Sequence, residues 1–301
     1  MSAADVRAAV DQRFPGSAEP PTGNEFVLFS KPELGRLTGA ELDRVWDLFA
    51  TSLSAYGVTV HRTKILTGSE LESSGAMAEH YGVINQISRL GRPALTEATE
   101  QALREQYATE LADGAEVLGG HQFLTEYPDV SPYALGVLFA NLSVGRLGPG
   151  TYAAVANVDG QTVVILNGFH PRQLSFFTAE DTVCAFLHGS SETSWESLRG
   201  ELIGTTDPAK AEAGSIRGTL FADPATFGLA TVSYNFNGVH MSAGPLEGLV
   251  ELTRFFGGSP ADYTFAEALT AAGVSAEGVD TLAGNPTLEA DGERGSAFDL
   301  T

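Results

Sequence analysis

Between residues 204 and 256 the sequence gathers groups that suit a phosphate. Gly204-Thr205-Thr206-Asp207-Pro208-Ala209 and Gly214-Ser215-Ile216-Arg217-Gly218 read as two tight turns, one bearing hydroxyls and the other a guanidinium. Asn237-Gly238-Val239-His240-Met241-Ser242 then ends an apolar strand on a histidine. Hydroxyls and backbone N–H groups donate to phosphate oxygens, a guanidinium forks two of them, and an imidazole nitrogen can attack the phosphorus. A histidine at a strand end is by default a solvated or internally satisfied residue, so its neighbours carry the chemical reading rather than the ring alone.

The charge balance sharpens that reading. Across 301 residues, 17 Lys and Arg face 38 Asp and Glu, a formal charge of -21. Such a chain repels nucleic-acid backbones and anionic membrane surfaces, so neither is expected as a partner, and any phosphate site must concentrate its few cations locally. The single cysteine, Cys184, lies in an apolar run and excludes an intrachain disulfide or a cysteine metal cluster. His61, His80, His121 and His188 show no HExxH or other close metal spacing, and no GxxxxGK[ST] loop occurs, so neither a protein-held metal nor a P-loop is expected. No apolar stretch reaches the roughly 18 residues of a membrane span. The opening MSAADVRAAVDQRF lacks the apolar core of a signal peptide, which leads to the expectation of a cytoplasmic protein.

The elements that must position these groups follow from periodicity. Phe26-Val27-Leu28-Phe29-Ser30 reads as a buried strand ending at Lys31-Pro32. Residues 39–56 place Leu42, Val45, Trp46, Leu48 and Phe49 at helical spacing before the stop signal Gly57, and 58–66 alternate like a strand with one wet face. Strand-like runs at 151–158 and 162–167 flank Asp159-Gly160, a hairpin signal. A strand at 182–188 precedes an amphipathic helix at 194–203, and a last strand ends at His240 before a helix at 245–256. The expected class is α+β, with a ferredoxin-like βαββαβ antiparallel sheet carrying helices on one face. A 1–23 extension precedes this domain of 24–301, which an insertion at about 83–180 interrupts. No internal repeat is found.

Taken together, the segments resemble the nucleoside diphosphate kinases, whose signature joins a Thr-Asn-Pro-Ala turn, a Gly-Thr-Ile-Arg-Gly turn and an Asn-x-x-His-Gly-Ser-Asp strand end. A second match lies far upstream, where FVLFSKPELGRL at 26–37 looks like that family's first strand and Ile-Lys-Pro-Asp-Gly segment. The resemblance implies that His240 is the phosphorylated nucleophile, that Glu251 holds its other ring nitrogen, and that Ser242 sits beside that glutamate. It implies nucleotide or phosphate contacts for Lys31, Thr206, Arg217 and Asn237, and a place near the histidine for Tyr81; Arg199 stands in for a further arginine with the register moved by one residue. The implied reaction passes the terminal phosphate of a nucleoside triphosphate to a nucleoside diphosphate, with Mg²⁺ arriving on the nucleotide.

The departures are equally specific. His-Gly-Ser-Asp becomes His240-Met241-Ser242-Ala243, and Arg-Gly-Asp becomes Arg217-Gly218-Thr219. The family's arginine after the tyrosine has no clear match, so Arg89, Arg92, Arg172 or Gln173, all from the insertion, are candidates for additional substrate contacts. His170 beside the last two reads by default as part of a structured hairpin exit. Three functions stay open at this point: transfer to a nucleoside diphosphate, transfer to another small phosphoacceptor, and nucleotide binding without turnover. Base preference, pathway and the existence of a homo-oligomer also stay open.

Overall fold

A computed structural model describes residues 2–290 and 293–298. Along the chain, helix α1 (Ala3–Arg13) leads to strand β1 (Asn24–Ser30), helix α2 (Gly39–Ala55) and strand β2 (Thr59–Thr67). Then come α3 (Gly82–Leu90), β3 (Glu116–Gly119), α4 (Gly120–Glu126), β4 (Gly145–Gly148), β5 (Thr151–Val158), β6 (Gln161–Leu166) and α5 (His170–Thr178). Strands β7 (Val183–Ser191) and β8 (Val239–Met241) precede α6 (Pro245–Phe256) and α7 (Thr264–Ala271). The chain divides into two compact units: residues 1–70 with 180–301, and 71–179. The second unit thus begins before the expected insertion boundary near 83. No helix among the described residues is long and apolar enough to cross a membrane.

The first unit is built on an antiparallel sheet of order β2-β7-β1-β8. Its two central strands are apolar on both sides: every residue of β7 is buried, as are six of the seven in β1. Such strands need cover on both faces. Phe26, Leu28, Ala185, Leu187, Val239 and Met241 share one core with Val6 and Val10 of α1 and with Leu42, Val45, Trp46, Phe49 and Leu53 of α2. On the other face Phe29 and Phe186 meet Phe255 of α6, with ring centroids 5.9 and 4.6 Å away. Helices therefore flank both faces, which corrects the expectation of helices on one face only. Each buried Phe or Leu contributes about 1.5–3 kcal/mol, so the doubly covered strands anchor whatever sits at their ends.

The second unit holds a mixed sheet of order β3-β6-β5-β4, with β3 and β6 parallel and the other pairs antiparallel. Asp159 (φ 50°) and Gly160 (φ 80°) both adopt the left-handed region in the turn between β5 and β6, as a two-residue hairpin of right-handed twist requires. Strand β6 feeds two cores, Val163 and Ile165 on one face and Val164 and Leu166 on the other.

Candidate active site

Strand β8 is only three residues long, and its register on β1 pairs His240 with Phe29. The two rings stack with centroids 4.4 Å apart and planes 21° from parallel. Glu251, on the sheet-facing side of α6, sets its Oε1 2.8 Å from His240 Nε2. Glu251 is fully buried, while the His240 side chain keeps 19% exposure. A buried carboxylate accepts, so Nε2 carries the ring proton and the lone pair lies on Nδ1.

Ser242 completes the arrangement. Its hydroxyl donates to Glu251 Oε2 at 2.5 Å and accepts the Val27 N–H at 3.0 Å. Its own N–H donates to Val27 O at 3.0 Å. Both carboxylate oxygens are therefore engaged, and the strand end carrying the imidazole is tied to β1 from both sides. A relay of hydroxyl, carboxylate and imidazole of this kind fixes one tautomer and stabilises positive charge that develops on the ring.

Cations gather beside it. Burial pulls the Lys31 ammonium down to about 8, with Glu33 opposing that shift and Arg217 adding to it. Burial likewise lowers Arg217 to about 10, aided by Arg199. Arg217 thus lies close enough to act on Lys31 and to be acted on by Arg199, a local gathering of positive charge in a chain of formal charge -21. Glu33, which the sequence reading passed over, is the local counterweight: burial raises its pKa, and it accepts the Gly238 N–H at 2.8 Å.

Arg217 stands in the first turn of a helix, Ile216–Ala222, capped by the Ser215 hydroxyl, instead of in a tight turn. Its two terminal nitrogens donate to Gly204 O and Val239 O, each at 2.8 Å, so it clasps the Gly204 loop to β8. Its Nε is buried without a hydrogen-bond partner among the described residues. Asn237 makes a similar clasp, donating to Thr206 O at 3.0 Å and Tyr234 O at 3.2 Å. Thr206 itself is exposed. Arg199 donates to Ala243 O at 2.6 Å from a π-helical segment, Leu198–Ile203, that replaces the regular helix expected there.

The first unit thus gathers His240, Glu251, Ser242, Lys31, Arg199, Thr206, Arg217 and Asn237, whereas Tyr81, Arg89, Arg92, Arg172 and Gln173 belong to the second. There Tyr81 packs edge-on against His80 and His170 at 4.9 and 5.5 Å. Arg92 forks Glu100, with Nε 3.0 Å from Oε2 and a terminal nitrogen 2.5 Å from Oε1. Arg172 lies over the Tyr133 ring at 4.4 Å. Arg89 and Gln173 join a polar cluster around His170.

No family model matches the chain, and no curated protein matches it. Among solved structures, the crystal structure of an NDP kinase from Pyrobaculum aerophilum is similar at 17% identity, covering 78% of this chain and 96% of that one, with a TM-score of 0.37.

Proposed function

We propose that the chain is a phosphotransferase that carries the terminal phosphate of a nucleoside triphosphate on His240. The observation that carries this reading is the Ser242–Glu251–His240 relay, in which a buried carboxylate engages Nε2 and leaves nucleophilic character on Nδ1. The sequence motifs around residues 206, 217 and 240 and the upstream Lys31 segment support the same chemistry.

In the first half-reaction Nδ1 attacks the terminal phosphorus in line. The nitrogen–phosphorus bond forms as the bond to the bridging oxygen breaks, and the nucleoside diphosphate leaves with that electron pair. Glu251 offsets the positive charge that grows on the ring at Nε2–H. In the second half-reaction an oxygen of the acceptor's terminal phosphate attacks the phosphorus, the nitrogen–phosphorus bond breaks with its electron pair returning to Nδ1, and the ring, still protonated at Nε2, becomes neutral again. Lys31 and Arg199 offset charge on the phosphate oxygens, Thr206 offers a hydroxyl, and Arg217 and Asn237 hold the loops that present them. Mg²⁺ belongs to the nucleotide substrate.

The acceptor in this reading is a nucleoside diphosphate. Met241, Ala243 and Thr219 stand where the resembled family has other residues, and a different small phosphoacceptor is the second reading. Incubating the protein with γ-labelled ATP and an unlabelled nucleoside diphosphate tests the assignment. Label is expected in the new triphosphate, and label that appears only as inorganic phosphate contradicts transfer.

A further inference from the structure

The turn that follows β1 is fastened to the segment that leads into β8. Pro32 stands second in a turn closed by the Leu34 N–H on Lys31 O at 3.0 Å, a place where its ring-fixed φ suits the backbone. Gly35 lets this turn press onto β7, since a Cβ there would lie 1.8 Å from Val183 O. Two hydrogen bonds then run in opposite directions between the turn and Gly238. Lys31 N–H donates to Gly238 O at 2.9 Å, and Gly238 N–H donates to Glu33 Oε1 at 2.8 Å. Gly238 adopts φ 81°, a left-handed conformation open to glycine without steric cost, and a Cβ on it would lie 2.5 Å from Leu220 Cδ1. His240 follows two residues later.

Glu33 is thus the side-chain half of a clasp whose backbone half is Lys31. The charges around the pair come from several elements. Glu33 favours the Lys31 ammonium, while burial and Arg217 disfavour it. Burial raises Glu33, while Lys31 and Arg36 favour its ionised form, Arg36 being ion-paired with Asp181 at 3.1 Å. Arg217 in turn is acted on by Arg199 and Tyr234, and Glu33 adds to the burial that pushes up the Cys184 thiol. Take away the Glu33 charge, and burial and Arg217 act on Lys31 unopposed.

We propose that Glu33 is a positioning residue for phosphate binding, which ties the Lys31 turn to the entry of β8 and supplies the negative charge that keeps Lys31 an ammonium. The proposal rests on the reading of Lys31 as a contact for triphosphate oxygens. A carboxylate near such a site by itself repels the ligand; its use lies in the cation that it holds charged.

The sequence has three lysines, Lys31, Lys64 and Lys210, so the full chain labelled with carbon-13 at the lysine Cε gives three signals, and Lys31→Arg identifies one of them. Titrated by NMR without nucleotide, the Lys31 signal of wild type is expected to change at about pH 8. Glu33→Gln keeps an acceptor oxygen for the Gly238 N–H but loses the charge, so its Lys31 midpoint is expected to fall by roughly one pH unit. Glu33→Asp keeps the charge and should titrate near wild type. Affinity for a non-hydrolysable ATP analogue, measured by calorimetry at the same pH values, should fall with the Lys31 signal in each protein. An equal Lys31 midpoint in wild type and Glu33→Gln overturns the proposal. So does an analogue affinity that rises equally at every pH in Glu33→Gln, the sign of plain repulsion. A displaced midpoint with no analogue bound by any of the proteins bears out the action of Glu33 on Lys31 and counts against the phosphotransfer reading instead.

Discussion

Glu251 meets His240 at 2.8 Å from a fully buried position, while its second oxygen receives the Ser242 hydroxyl at 2.5 Å. The carboxylate therefore holds the Nε2–H of the ring on one oxygen while the other is occupied by a hydroxyl. Replacing it with glutamine keeps the shape and one acceptor but removes the charge that answers an imidazolium-like transition state. Glu251→Gln is expected to lower kcat on the order of ten- to a thousandfold with little change in nucleotide affinity. Steady-state kinetics beside calorimetric binding checks it, and an unchanged kcat would separate Glu251 from the chemistry.

Arg217 spends both terminal nitrogens on backbone carbonyls of two different segments. Arg217→Ala is expected to destabilise the fold by roughly 1–3 kcal/mol, because it leaves Gly204 O and Val239 O without their donors. Arg217→Lys should recover little of this, since an ammonium cannot reproduce the planar fork. Urea denaturation of the three proteins measures the effect; a lysine variant as stable as wild type would mean that charge, not geometry, is what the position needs.

Lys31 gives the site a pH limit. Burial lowers its ammonium to about 8, so it is charged below that pH and neutral above it. A cation that binds phosphate oxygens loses that attraction as it deprotonates, so triphosphate affinity is expected to fall as pH rises through about 8. Lys31→Arg keeps its charge across that range and should flatten the fall. Measuring KM or Kd between pH 7 and 9.5 decides the point, and a wild-type profile that is flat there would remove Lys31 from substrate contact.

Much of the frame was legible in the sequence because its signals are local. The apolar runs of β1 and β7, the helical spacing of Leu42 to Leu53 and the Asp159-Gly160 turn each act within a few residues. The His240–Glu251 pair was legible through its motif, its two members lying eleven residues apart. Relations between distant segments were less so. Complete burial of β7 requires helices on both sheet faces, but an apolar run alone does not say what covers it. Glu33 escaped notice because its role comes from Gly238, 205 residues away. A second buried pair in the first unit, Glu25 Oε1 with His188 Nε2 at 2.5 Å, joins residues 163 positions apart and likewise had no local sign. The Ser88–His121 contact depends on Gly119 allowing a close approach of backbones, which sequence spacing does not record.

The central claim is that a phosphate rests on His240, and the direct measurement is covalent labelling. Wild-type protein and His240→Ala, each verified as folded by circular dichroism, are incubated with γ-labelled ATP, denatured, and treated with acid or base. A phosphoramidate is expected on wild type alone: label that acid removes and base preserves, mapped to the peptide containing residue 240. Label of the same kind persisting in folded His240→Ala, or no label on wild type under turnover conditions, would contradict the account.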